Sequence, residues 1–289
     1  MKRVCFLVAL LAVLTACTNK GEKMLQDLDE QGVGMLIDNH GERTSYNAPG
    51  VQDLLRLTAE EPERLQGAVV ADRRVGKAAA ALLILGHVKH VNTPLISTPA
   101  RQMLEDAGIS FYAREEIPLM VNKDGTDLCP MESKLLDAKS ARECVVILRG
   151  GSAIGEQMLD ILNEQKLSLL VYNNEVLTTH DNKGVQDLLH LITEQPDRLK
   201  GAIVADKIIG KAAAALMATG GVKEVHTNII CTAARELFER EGILVFPREE
   251  VPQILNKDRS GQCPLDSRLN DVESIEQCVE ILRNMPPRP

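Results

Sequence analysis

The chain has 289 residues, a formal net charge of −8, 2% aromatic residues and no tryptophan. Basic residues are scattered, which argues against a nucleic-acid footprint, and so few aromatics leave no stacking platform for bases or sugars. The apolar share is built from Leu, Val, Ile and Ala, and a mature part of about 270 residues predicts two ordinary domains.

At the N-terminus, Lys2 and Arg3 precede an apolar stretch from Val4 to Leu14. That is signal-peptide length, too short for a transmembrane helix of roughly 20 apolar residues. The stretch ends in Leu14-Thr15-Ala16-Cys17, which resembles the lipobox of bacterial lipoproteins. The resemblance implies removal of residues 1–16 and acylation of Cys17, which anchors the chain to a bilayer of the bacterial cell envelope through a tether over 17–23. An ordinary signal peptide cut near Ala16 is the alternative. No later segment is long and apolar enough to cross a membrane.

The remainder is written twice. Asp72 recurs as Asp206, Lys77 as Lys211 and Cys129 as Cys263, each 134 residues on, and the register runs without a gap from about Met24/Met158 to Arg149/Arg283. Repeats this long predict two complete domains, 24–149 and 158–285, rather than a solenoid. Gly150-Gly151-Ser152 supplies a flexible break in a linker over 150–157. The two copies are expected to pair about a pseudo-twofold axis, like the dimer of a single-domain relative.

In the first copy, Met24 to Leu28 opens a helix and Val33 to Asp38 reads as a strand. Asn39-His40-Gly41 then turns the chain into a second strand through Tyr46. Val51, Leu54 and Leu55 recur at helical spacing, with Pro62 ending the segment. Ala68 to Ala71 is a short apolar run typical of a strand covered on both faces. The next helix carries Gly76 and the small residues Ala78 to Ala81, which allow close approach to a sheet. Val88 to Ile96 and Ile109 to Tyr112 are further strands, separated by a helical stripe of Ala100, Met103, Leu104 and Ala107. A loop from Pro118 to Cys129 leads to helices around Leu135 and Val145–Leu148. This alternation indicates an α/β layered domain.

Several residues stand out as chemistry. Asp72 and Asp206 fall between a strand and a helix, where a carboxylate either caps the helix or lines a ligand crevice at the sheet's carboxyl edge. Gly76-Lys77 and Gly210-Lys211 fail as phosphate loops, because Ala78 replaces the required hydroxyl residue and the upstream glycine is absent. Lys77 and Lys211 are then either ion-paired lysines or groups reaching an anionic ligand. Arg101 and Arg235 lie near the start of a helix expected to face the crevice. Asn122 and Asn256 belong to the loops leading to Cys129-Pro130 and Cys263-Pro264. No histidine recurs in both copies, which removes a shared Cys-His mechanism. The export route allows disulfides Cys129–Cys144 and Cys263–Cys278, with buried reduced thiols as the alternative.

A helix, a hairpin and then alternating helices and strands resemble the cytidine-deaminase-like fold. Val70-Ala71-Asp72 and Ser97-Thr98-Pro99-Ala100-Arg101-Gln102-Met103-Leu104 stand where those enzymes carry their metal-site motifs. The whole copy, including Cys129-Pro130-Met131-Glu132, is similar to a prokaryotic family of unknown function within that superfamily. The resemblance implies a three-layer α/β/α domain with a mixed sheet. It also places Val70, Ser97 and Ala100, and Val204, Cys231 and Ala234, at the zinc-ligand positions, with Asp72 and Asp206 replacing the proton-shuttling Glu. Catalytic zinc needs three protein ligands and an open position, so neither copy is expected to hold metal or to deaminate, and no cofactor is expected. The resulting expectation is a binding module for a nucleotide-like or other polar metabolite. A non-zinc enzyme using Asp72 or Cys129, and a structural lipoprotein with vestigial pockets, are the alternatives.

Overall fold

The structure, a computed structural model, describes residues 21–182 and 184–285. The lipobox and Cys17 lie outside the described residues. The chain divides into two units between Gly150 and Gly151.

In the first unit a helix over 21–31 (α1) precedes a hairpin of β1 (Met35–Asn39) and β2 (Glu42–Tyr46). There follow α2 (Gln52–Glu60), β3 (Val69–Asp72), α3 (Lys77–Leu85), β4 (His90–Ser97), α4 (Thr98–Asp106) and β5 (Ser110–Ile117). Two shorter helices, α5 (Pro130–Lys134) and α6 (Ala141–Leu148), close the unit. The sheet order is β2-β1-β3-β4-β5, with β1 antiparallel to both neighbours and β3, β4 and β5 parallel. The sheet is therefore mixed, as the resemblance implied.

Side-chain alternation on the strands assigns the layers. Leu36 and Ala71 face α1 and pack with Met24, Leu25 and Leu28. Met35, Ile37 and Val70 face the other way, onto a larger core with Leu54, Leu57, Leu82, Leu104 and Cys144. Helix α3 lies at the centre of that second layer. Residues Lys77 to Leu83 are all buried, and a helix apolar on every side is stable only when surrounded. The hairpin turn is legible from sequence: His40 and Gly41 both take positive φ, 54° and 90°, the geometry of the tight turns that join antiparallel strands.

The second unit repeats these elements. Helix α7 (Ala153–Gln165) leads to β6 (Leu169–Asn173), β7 (Val176–His180), α8 (Gln186–Glu194), β8 (Ile203–Ile209) and α9 (Lys211–Thr219). Then come β9 (Glu224–Cys231), α10 (Thr232–Arg240), β10 (Leu244–Val251), α11 (Pro264–Ser267) and α12 (Ile275–Arg283), and the sheet order is β10-β9-β8-β6-β7. Nearly all bounds sit 134 residues from their counterparts, so the duplication holds in three dimensions.

Some boundaries differ from the sequence reading. Helix α1 already covers residues 21–23 of the expected tether, and α7 takes residues 153–157 of the expected linker because the Ser152 hydroxyl caps its start. Strand β5 continues through Arg114-Glu115-Glu116 to Ile117: parallel pairing with β4 holds these charged residues in the sheet. The helix expected around Leu135 ends at Lys134.

Candidate functional site

A cavity of about 580 Å³ opens in the first unit where β3 gives way to α3, bounded by the start of α2 and the loop before α5. It lies at the carboxyl end of a strand, the usual ligand position in open α/β sheets. Its walls are largely apolar, with Met35, Val51, Leu54, Met120 and Met131, while the acids Asp53, Asp72 and Glu132, the cations Arg73, Arg74 and Lys123, and Asn122 and Cys129 bring polar groups.

Asp72 ends β3, opposite Met35 of β1. The N-cap of α3 is Gly76, so Asp72 does not cap that helix. Its Oδ1 instead accepts the Arg74 N–H at 3.0 Å, closing a local turn. Burial drives its pKa from 3.8 up to about 7, opposed only by that amide. Asp206 behaves alike: its Oδ1 accepts the Ile208 N–H at 3.1 Å, and burial raises its pKa to about 7.

The acid at the start of α3 comes from elsewhere in the chain. Glu132 of α5, 2% exposed, accepts the Lys77 N–H through Oε2 at 2.8 Å. Lys77 answers it. Its ammonium donates to the carbonyls of Leu135, Leu136 and Ala138 at 2.6, 3.1 and 2.7 Å, just past the end of α5. Each helix thus supplies the charge the other's terminus favours, a carboxylate at an N-terminus and an ammonium at exposed carbonyls. The second unit repeats the clamp. Asp266 Oδ1 accepts the Ala212 N–H at 3.1 Å, and the Lys211 ammonium donates to Leu269 at 2.7 Å. Lys77 therefore neither pairs with Asp72 nor points into the cavity, and its glycine neighbour has a packing reason. A Cβ on Gly76 would stand 2.8 Å from Glu132 Oε2, and one on Gly210 would stand 2.0 Å from Asp266 Oδ2.

One oxygen of each capping acid is left over: Glu132 Oε1 and Asp266 Oδ2 are buried without a hydrogen-bond partner. Burial also raises the Asp266 pKa, against the Ala212 and Lys211 amides. The sequence reading missed both acids. Its available signal was an acid three residues after the cysteine in both Cys-Pro segments.

The other expected site residues divide. Asn122 and Cys129 line the cavity, although Asn122 also braces its own loop through Thr126, whose N–H it accepts at 3.0 Å. Asn256 does the same with Gly261 at 3.3 Å. Arg101 does not line this cavity. On α4 it pairs with Glu105 and Glu116, as Arg235 pairs with Glu239 and Glu250, because acids one turn on and on the adjacent strand claim the guanidinium. The disulfides Cys129–Cys144 and Cys263–Cys278 are not formed, and all five described cysteines are free thiols. Cys144 and Cys278 are built into the cores, whereas Cys129 lines the cavity. Burial pushes the Cys144 thiol up to about 11 and raises Cys231 and Cys278 as well, which keeps these groups protonated.

The positions that the resemblance assigns to a zinc carry residues that would not hold one. Val70, Ser97 and Ala100 are fully buried, and none carries an imidazole, thiol or carboxylate. In the second unit only Cys231 offers a donor. Among the described residues, no three His, Cys, Asp or Glu side chains are grouped for a metal ion.

On the opposite sheet face the two copies part. In the second unit His226 is fully buried, with Nε2 2.7 Å from Glu224 and Nδ1 3.7 Å from Glu156. Arg248 completes the cluster at 2.8 Å from Glu156. Burial works against the imidazolium, but the two glutamates outweigh it and hold the His226 pKa above its ordinary value. The first unit has His90 and Asn92 at the corresponding places, joined at 3.1 Å.

A family model described as TM1506, Domain of unknown function (DUF1893), matches residues 23–150 and again residues 157–285. The chain belongs to this family. Its two DUF1893 copies coincide closely with the two structural units. Among solved structures, the DUF1893 family protein TM1506 from Thermotoga maritima is 26% identical. That match covers 44% of this chain and 86% of the other, with a TM-score of 0.41. No curated protein matches the chain.

Proposed function

We propose that the first DUF1893 copy is a metal-free binding domain for a small molecule, carried by a lipoprotein tethered through acylated Cys17. The observation that supports binding is the cavity itself. An enclosure of about 580 Å³, apolar on its walls, contains a carboxyl group with a pKa near neutrality and a buried carboxylate oxygen with no partner. Cavities of this size, with a few convergent polar groups, are the usual form of small-molecule sites. A fold that served packing alone would fill the space or pair the acids. Tethering is supported by the segment from Lys2 to Cys17, and among the described residues no helix is long and apolar enough to cross a membrane.

The test is capture of metabolites on the purified protein, with identification by mass spectrometry, in wild type and in Asp72→Asn. A metabolite retained by wild type and lost from the variant supports the reading. Equal retention by both, or none by either across a broad extract, counts against it.

A further inference from the structure

Beneath the start of helix α7 the second unit gathers His226, Glu224, Glu156 and Arg248. The ring of His226 on β9 is fully buried, with Nε2 2.7 Å from Glu224 Oε1 on its own strand and Nδ1 3.7 Å from Glu156 Oε2 on α7. It stacks on Phe246 of β10 at 5.0 Å between centroids, and it lies against Gly155, where a Cβ would run into it. On β8 its neighbour is Ala205, with Lys207 two residues further along the same face. Arg248 of β10 pairs with Glu156 Oε1 and with Asp160, and Glu224 accepts the Ser152 N–H at 2.7 Å. The start of α7 thus meets the sheet through this ring and its acids, whereas Met158, Leu159 and Leu162 further along sit in an apolar cluster.

We infer that the first turn of α7, residues 152–157, is fastened to the sheet by a proton: it is docked while both nitrogens of His226 carry hydrogen and released when the ring is neutral. Only an imidazolium has a donor for each of the two carboxylates. A neutral ring keeps one N–H, which the 2.7 Å contact assigns to Glu224, and turns a lone pair toward Glu156 Oε2. Arg248 sits on the other oxygen of Glu156 and does not replace the lost donor. A buried carboxylate facing a lone pair is costly, and lifting the first turn brings it to water. Burial opposes the charge on His226 and the two glutamates favour it, with the net shift upward, so release falls above about pH 6.5. The first copy fastens the same turn without such a ring. Glu22, the counterpart of Glu156, is held by the Tyr112 hydroxyl at 3.0 Å and by Arg114 at 2.8 Å, and Asn92 stands in the place of His226. His90 of that copy faces Ser110 and Asn92 rather than an acid. In the second copy Phe246 replaces Tyr112, so the hydroxyl is gone and His226 supplies the donor in its stead. Release lengthens the Gly150-Gly151 break between the units, and the device is independent of the cavity reading.

The test is backbone hydrogen exchange on the full chain at pH 6 and pH 8.5, expressed as protection factors so that the pH dependence of the chemical step cancels. The informative amides are those of residues 157–160, whose helical acceptors lie in the first turn. Their protection should fall at least about tenfold at the higher pH, the equivalent of one unit in the ring's pKa. Residues 162–165 of α7, and 25–28 of the first copy's helix α1, should keep theirs. His226→Asn, which installs the first copy's residue, should give equal protection at both pH values. Phe246→Tyr restores a hydroxyl beside Glu156, keeps the histidine and should shrink the fall, which serves as the second test should the asparagine variant fold poorly. Equal protection of the wild type at both pH values, a fall shared by the whole second unit, or a fall undiminished in either variant would overturn the inference.

Discussion

Replacing Asp72 with Asn should stabilise the first unit, and only above a certain pH. A carboxyl whose folded pKa is raised from 3.8 to about 7 binds its proton more tightly in the native state. Such a group costs nothing below the unfolded pKa, costs progressively more from about pH 4 to pH 7, and costs a constant amount above. A shift of about three units corresponds to a ceiling of about 4 kcal/mol at 1.36 kcal/mol per unit. Asp72 keeps some solvent contact through the cavity, so about half of that, ~2 kcal/mol, is the expected gain at pH 8. Asparagine retains the acceptor for the Arg74 N–H and cannot ionise, so the gain should vanish near pH 4. Hydrogen-exchange mass spectrometry across a urea series at pH 4.5, 6 and 8 reports the two units separately. A variant no more stable than wild type at pH 8, or a gain of equal size at pH 4.5, would refute the argument that burial dominates this carboxyl.

Lys77→Met keeps the apolar stem and removes the ammonium, leaving three carbonyls short of a donor, and should cost the first unit about 2–4 kcal/mol in urea unfolding. Gly210→Ala places a methyl on the Asp266 carboxylate and should lower the second unit's stability by over ~1 kcal/mol, visible as an earlier urea midpoint. His226→Asn should flatten a pH dependence of the second unit. With a raised folded pKa, the histidine's contribution is full below about pH 6.5 and is lost as pH rises through the folded value, so thermal scans at pH 6 and 9 should converge in the variant. Thiol counting in denaturant without reductant should find Cys129, Cys144, Cys231, Cys263 and Cys278 all reactive, and a lower count would restore a disulfide. Cys17→Ser should abolish metabolic acyl labelling, and persistence of label would discard the lipobox.

What the sequence made legible was local or self-referential. The duplication needs only the chain compared with itself, the hairpin is announced by His40-Gly41, and α3 by its alanine run. Asp72 was found because a strand-to-helix junction is a place with known chemistry, yet its two readings were separated only by geometry: the N-cap lies at Gly76, four residues later. Lys77 and Glu132 are 55 residues apart and belong to different helices, so no periodicity joins them. Their pairing is a tertiary event, and the small residue it demands at Gly76 looked instead like half a phosphate loop. Arg101 shows the opposite error. Its position on α4 was read correctly, but the acids that claim it, Glu105 and Glu116, turn an expected crevice residue into a surface ion pair.

The comparison between copies separates what this fold requires from what it leaves adjustable. The clamp survives a change of its acid from Glu132 to Asp266, because both still reach the first amides of the central helix while the opposing lysine keeps its carbonyls. Asp72 and Asp206 keep the same strand position and the same raised pKa. The surroundings of those acids do not stay constant. Arg74 becomes Ile208, Tyr46 becomes His180 and Met131 becomes Leu265, each at the corresponding register position. Ile208 is half exposed where Arg74 crosses to the Val121 carbonyl. The acids therefore hold to backbone amides that both copies share, while the residues around them change.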